Sequence, residues 1–142
     1  MTSKQTWNDL GVDNDICEIL SERGITSPFP IQSLTIPDAL SGSDVCGKAK
    51  TGSGKTLAFG IPMIQNLPLE KKAKAADPRV LILVPTRELA VQVSEELEPI
   101  NDVRGLKIAA IYGGANIETQ IKTIKKGLDV VAATPGRMID LL

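Results

Sequence analysis

Ala49-Lys50-Thr51-Gly52-Ser53-Gly54-Lys55-Thr56 is the stretch whose reading decides the fold. It follows a short apolar run, Val45-Cys46-Gly47, and precedes a helical pattern from Leu57 to Leu67. A strand, a Gly-rich loop and a helix start in that order form a phosphate cradle. The loop N–H groups converge on the anion, and the helix dipole adds positive potential. Lys55 is placed to reach β- and γ-phosphates, and the Thr56 hydroxyl to ligate Mg²⁺. The general pattern G-x-x-x-x-G-K-[ST] has Ala49 at its first glycine, while Gly52, Gly54, Lys55 and Thr56 all conform. The competing reading is a Gly-rich turn that merely caps a core helix; the flanking strand and helix patterns favour the cradle.

Working outward, the 142 residues suffice for one domain with a real core. A hydrophobic content of 42% and a charged content of 23% are those of an ordinary globular chain. The net charge of -1 gives no global basic field, so affinity for nucleic acid must come from a local surface. No apolar run approaches the roughly 18 residues of a membrane span, and Met1-Thr2-Ser3-Lys4-Gln5 opens no signal-peptide core. Cys17 and Cys46 are too few and too separated for a disulfide scaffold or zinc knuckle. The absence of histidine removes imidazole zinc sites and Ser-His or Cys-His catalysis. The cytoplasm is the default compartment.

Along the chain, β-rich apolar runs alternate with amphipathic stretches. Ile16, Ile19 and Leu20 predict a helix ending at Gly24, and Ile31, Leu34 and Leu40 a second one from Pro30 to near Gly42. Strands are expected at 44–48, 79–84, 107–112 and 128–133. The run Val80-Leu81-Ile82-Leu83-Val84 suits a strand buried on both faces of a parallel sheet. Helices are expected from Arg87, with Leu89, Val93 and Leu97 on one face, through Ile117, Ile121 and Ile124, and from Pro135. The segment 68–78, with Lys71, Lys72 and Lys74, reads as a solvated loop. The pattern is that of an α/β fold, a parallel sheet with helices on both faces. Residues 1–42 form a helical segment and 43–142 the α/β sheet.

Ligands of such sheets bind outside the carboxyl ends of the strands. After the first strand comes the phosphate loop. After the others come Pro85-Thr86-Arg87-Glu88-Leu89, Gly113-Gly114, and Thr134-Pro135-Gly136-Arg137. Hydroxyls, arginines and close-approach glycines make a neutral-to-basic rim suited to an extended polyanion. Each segment alone is a common turn; their joint placement at strand ends is not.

With these motifs in order, the chain resembles the N-terminal RecA-like domain of a DEAD-box RNA helicase. Residues 49–56 match that family's motif I, including its alanine; 85–89 match motif Ia, Gly113-Gly114 the double glycine, and 134–137 motif Ib. Gly24-Ile25-Thr26-Ser27-Pro28-Phe29-Pro30-Ile31-Gln32 resembles the Q motif, and Trp7 stands where the family has an isolated aromatic. The resemblance implies a RecA-like P-loop NTPase domain, C-terminally incomplete. It implies ATP and Mg²⁺ as cofactors and RNA held by its backbone with little sequence specificity. Carried over residue by residue, ATP falls to Trp7, Gln32, Ala49, Lys50, Thr51, Gly52, Ser53, Gly54, Lys55 and Thr56. Lys55 and Thr56 are the catalytic candidates, Thr56 also the metal ligand. RNA falls to Pro85, Thr86, Arg87, Gly113, Gly114, Thr134, Pro135, Gly136 and Arg137. The Gln32 assignment has its own chemistry: a carboxamide offers one donor and one acceptor edge, which match adenine N7 and N6 but not the two acceptors of guanine.

The chain stops before the Asp-Glu-Ala-Asp motif and the second RecA-like domain that the resemblance implies. Asp129 lies at the wrong end of its strand and Glu88 belongs to motif Ia, so neither replaces the missing acid. The expectation is an N-terminal piece of an ATP-dependent RNA helicase that binds ATP and RNA weakly without turnover. The alternatives are a non-catalytic nucleotide- or RNA-binding module and a non-helicase P-loop ATPase.

Overall fold

The computed structural model describes residues 5–50, 52, 54–68, 78–114 and 116–141. Its contacts divide the chain into two units, 1–67 and 68–142. The expected loop at 68–78 with its lysines, and Thr51 and Ser53 of the phosphate loop, lie largely or wholly outside the described residues.

The first unit is helical. A 3-10 turn, Asn8–Leu10, leads to α1 (Asn14–Glu22), α2 (Pro30–Leu40) and α3 (Lys55–Gln65). Pro30 at the first helical position of α2 has its φ already set for a helix and lacks only an N–H that would be unbonded there. α2 packs along α3. Ile16 and Leu20 of α1, Ile36 of α2 and Ile61 and Ile64 of α3 are fully buried; each such side chain contributes about 1.5–3 kcal/mol. The inward face of α2 differs from the expected stripe. Gln32 and Ile36, four residues apart, point inward, while Leu34 is 73% exposed. Gln65, on the last turn of α3, accepts from Asp13 N at 2.9 Å and donates to Gly11 O at 2.8 Å, tying the helix to the start of α1.

The expected strand at 44–48 does not form: residues 43–50 have no regular secondary structure, and Asp44 through Lys48 are exposed. A strand exists by pairing its N–H and C=O groups with a neighbour, and among the described residues this segment joins no ladder.

The second unit is the α/β layer. Three parallel strands, β1 (Val80–Leu83), β2 (Ile108–Ile111) and β3 (Val130–Ala133), lie in the order β1-β3-β2. Val80 and Ile108 both register with Val130, and Leu83 and Ile111 with Ala133. β1 and β2 are one residue shorter than expected at each end, and β3 starts two residues later than expected and ends where expected. Helix α4 (Arg87–Val103) links β1 to β2, and α5 (Ile117–Lys125) links β2 back to β3. Two right-handed crossovers that move in opposite directions along a sheet put their helices on opposite faces. Val131, Ala133 and Ile111 accordingly pack with Ile124 of α5 and Met138 of α6 (Pro135–Leu141). Strand alternation turns Ile82, Val130 and Ala132 to the other face, where α4 lies. β3, buried at every residue, is the centre; β1 is an edge whose Leu81 and Leu83 stay 46% and 56% exposed. The buried face of α4 runs Ala90, Val93, Leu97, Ile100, with Leu89 turned partly outward. Leu89 precedes Ala90 and so lies about 100° around the helix from it.

At the amino ends of the strands, Asp129 accepts from Arg79 Nη2 at 2.7 Å and from Lys107 N at 3.0 Å. The carboxylate thus aligns the entries of all three strands, at the end of the sheet opposite the segments that follow them.

Candidate functional site

In the first unit the phosphate loop ends at Gly54, which caps α3 in the left-handed conformation (φ +85°). Its N-cap, a glycine, offers no side-chain acceptor, and the helix's own ladder begins with Ala58 N donating to Gly54 O at 3.1 Å. The N–H groups of Lys55, Thr56 and Leu57 precede that ladder. Lys55 is exposed and Thr56 half-buried on the first turn. A glycine-capped start with a cation and a hydroxyl on it is chemically fit for a phosphate with its Mg²⁺. Among the described residues no group of three His, Cys, Asp or Glu side chains could hold a metal ion by itself.

Gln32 sits against this loop. Its Oε1 accepts from Phe29 N at 2.6 Å, and its Nε2 donates to Gly54 O at 3.0 Å. The side chain is 1% exposed, so it is neither a surface residue nor idle: it joins the start of α2 to the cap of α3. A side chain at position 54 would collide with that amide nitrogen and with the Phe29 ring. A groove of about 360 Å³ opens beside it, lined by Phe29, Pro30, Ile31, Leu34, Lys48, Ala49 and Gly52. Trp7 is 3% exposed, and its indole N–H donates to Ile25 O at 3.1 Å. It therefore supports the 24–29 turn from within the core. Cys17 donates to Asn8 Oδ1 at 2.8 Å; burial, then Asp13 and Asp15, push its thiol above the ordinary cysteine range.

In the second unit the three expected segments all emerge at the carboxyl ends of the strands. Thr86 follows β1 and caps α4, its hydroxyl accepting from Leu89 N at 3.2 Å. Arg87 pairs with Glu88 at 3.3 Å, both well exposed, an arrangement worth at most about 1 kcal/mol. Gly113 and Gly114 follow β2. A Cβ on Gly114 (φ +88°) would lie 3.4 Å from Arg87 Nη1, so the arginine reaches across to the glycine turn. Thr134 follows β3, accepts from Met138 N and opens α6, which carries Pro135, Gly136 and Arg137. Arg137 Nη1 donates to Gln120 Oε1 at 2.8 Å, and Gln120 Nε2 donates to Tyr112 O at 3.0 Å. The helix after the glycine turn is capped by Asn116, whose Oδ1 accepts from Glu118 N and Thr119 N.

A family model described as DEAD/DEAH box helicase matches residues 29–142. The chain belongs to the DEAD/DEAH box helicase family. It is 46% identical over 138 residues to the ATP-dependent RNA helicase DeaD of Escherichia coli K12, covering 96% of this chain and 21% of that protein. Among solved structures it resembles the RNA helicase Prp28 of Chaetomium thermophilum bound to ADP, with a TM-score of 0.88 and 36% identity over the whole chain and 35% of that one. It also resembles a DEAD box protein of Methanococcus jannaschii, with a TM-score of 0.84 and 38% identity over 95% of this chain and 36% of that one. The chain spans between 12% and 28% of the length of its curated relatives.

Within this helicase-family chain, two polar contacts leave no signal in the sequence pattern. Gln120 lies inside an apparent Ile117–Ile121–Ile124 stripe, although it is Gln120 that is 7% exposed while Ile117 is 37% exposed. The pairing of Asp129 with Arg79, fifty positions apart, leaves no local pattern. No helix among the described residues is long and apolar enough to cross a membrane.

Proposed function

We propose that this chain is the nucleotide- and RNA-binding portion of an ATP-dependent RNA helicase. The observation that carries the reading is the contact of Gln32 with Gly54 at an α3 start whose cap residue is a glycine. It ties a base-reading amide to a phosphate-binding cap. The loop N–H groups and Lys55 bind the phosphates; the Thr56 hydroxyl would hold Mg²⁺, which would neutralise phosphate charge. Each end of the Gln32 amide retains a second valence, one lone pair and one N–H, for adenine. The groove bounded by Phe29 and Ala49 is the approach for the base, with Trp7 bracing the turn beside it. Thr51 and Ser53 complete the loop. RNA phosphates meet Arg87, Arg137, Thr86, Thr134 and the glycine turn, contacts that position a strand without reading its sequence. The acid that orients water, and the second RecA-like domain, belong to the rest of the parent protein. We assign it to the cytoplasm, where the free thiols of Cys17 and Cys46 would persist.

RNA-stimulated turnover by the full-length protein, with ATP and with GTP, tests the reading. The expected result is turnover of ATP over GTP and a loss on the order of a hundredfold or more in Lys55→Ala. Nucleotide binding without RNA-stimulated turnover would make the chain a non-catalytic module. ATP turnover that ignores RNA would make it a non-helicase ATPase. Unimpaired turnover in Lys55→Ala would reduce the loop to a structural turn.

A further inference from the structure

Gln120 is a buried carboxamide whose two ends are both used, and used on two different candidate RNA segments. Its oxygen accepts from Arg137, on the helix after β3; its nitrogen donates to the carbonyl of Tyr112, the residue before Gly113-Gly114 at the end of β2. It stands on neither segment but on α5, whose first turn is fixed by the Asn116 cap. The amide nitrogen cannot accept and the carbonyl oxygen cannot donate, so the two bonds define one orientation of the amide.

The choice of glutamine has a consequence for charge. A glutamate at this place would neutralise Arg137 and set a carboxylate oxygen against the Tyr112 carbonyl. An apolar side chain would take a donor from the Tyr112 carbonyl and an acceptor from the Arg137 guanidinium. A neutral amide steers the guanidinium without itself cancelling the positive charge. It also makes the position of Arg137 depend on the position of the glycine turn.

We propose that Gln120 is a positioning residue for RNA binding: it orients Arg137 and registers it against the Gly113-Gly114 turn, so that the two segments meet one RNA backbone as a unit. The inference rests on the reading of Arg137 as an RNA-phosphate contact.

The test is a double-mutant cycle in the full-length protein, reading affinity for a single-stranded RNA across salt concentrations. Gln120→Met, close in volume and without the two hydrogen bonds, is expected to weaken RNA binding roughly five- to tenfold with Arg137 present. It should change almost nothing in an Arg137→Ala background, because residues acting through one another do not add. Arg137→Ala alone should lower the salt slope by about one unit, and Gln120→Glu should lower it similarly, since it removes the same charge. Gln120→Glu is the second variant should Gln120→Met melt. Full additivity of Gln120→Met and Arg137→Ala would overturn the positioning role while leaving Arg137 an RNA contact. An Arg137→Ala protein with unchanged affinity and slope would remove the RNA reading of Arg137, and the proposal with it.

Discussion

The starts of α3 and of α4 and α5 make the same local problem and solve it in opposite ways. Each helix begins with N–H groups that have no partner in the helix. α4 and α5 answer with side chains, Thr86 on Leu89 N and Asn116 on Glu118 N and Thr119 N. α3 answers with glycine in a left-handed cap, a residue with no side-chain acceptor of its own. Glycine at this place surrenders the side-chain acceptor of a Ser, Thr, Asp or Asn cap at a cost of only a few tenths of a kcal/mol. Under the proposed function, the difference separates two ways of meeting an anion. In the first unit the backbone N–H groups of the α3 start are left open to an anion; in the second the starts of α4 and α5 are closed by Thr86 and Asn116, which leaves the arginines, the glycine turn and the α6 start.

The most damaging way to break this contrast is Gly54→Ala. The left-handed conformation costs a non-glycine residue about 1–2 kcal/mol, and the new Cβ collides with the Gln32 amide and the Phe29 ring. Together with the lost Gln32–Gly54 bond, this should lower ADP affinity on the order of a hundredfold. Calorimetry with ADP measures it, and ADP affinity within a fewfold of the parent would mean that the open start of α3 does not receive the phosphates.

A middling effect is expected from Arg87→Ala. RNA affinity should fall several-fold, about equally across sequences, with a salt slope smaller by about one unit. Because its Glu88 partner is exposed, the melting temperature should hardly change. An unchanged slope with a lowered melting temperature would instead make Arg87 a support for the fold.

The smallest effects should come from the closed helix starts. Thr86→Ala and Asn116→Ala should each cost about 1 kcal/mol of stability, read by denaturant unfolding, with ADP affinity untouched. If Thr86→Ala strengthened RNA binding, the hydroxyl would have been competing with a phosphate for the N–H of Leu89, and the contrast between the two units would weaken.

What the sequence determined by itself was whatever short range controls. Thr86 and Pro30 marked helix starts; the runs around Ile82, Ile111 and Val131 became strands because apolar β-branched stretches bounded by turns have few other uses. The order of candidate segments after the strands was legible for the same reason. Tertiary structure decided what depends on partners far along the chain. The segment 44–48 has strand composition but no ladder to join. The helical stripe of α2 was misread because Ile31, Leu34 and Leu40 carry the hydrophobicity while Gln32, engaged with Gly54 twenty-two positions away, takes the buried place. Gln120 is buried for the like reason, its two hydrogen bonds reaching one residue eight positions back and another seventeen positions on. Periodicity assigns polar side chains to water by default. Only the fold supplies the carbonyl, amide or guanidinium that offsets the cost of burying them.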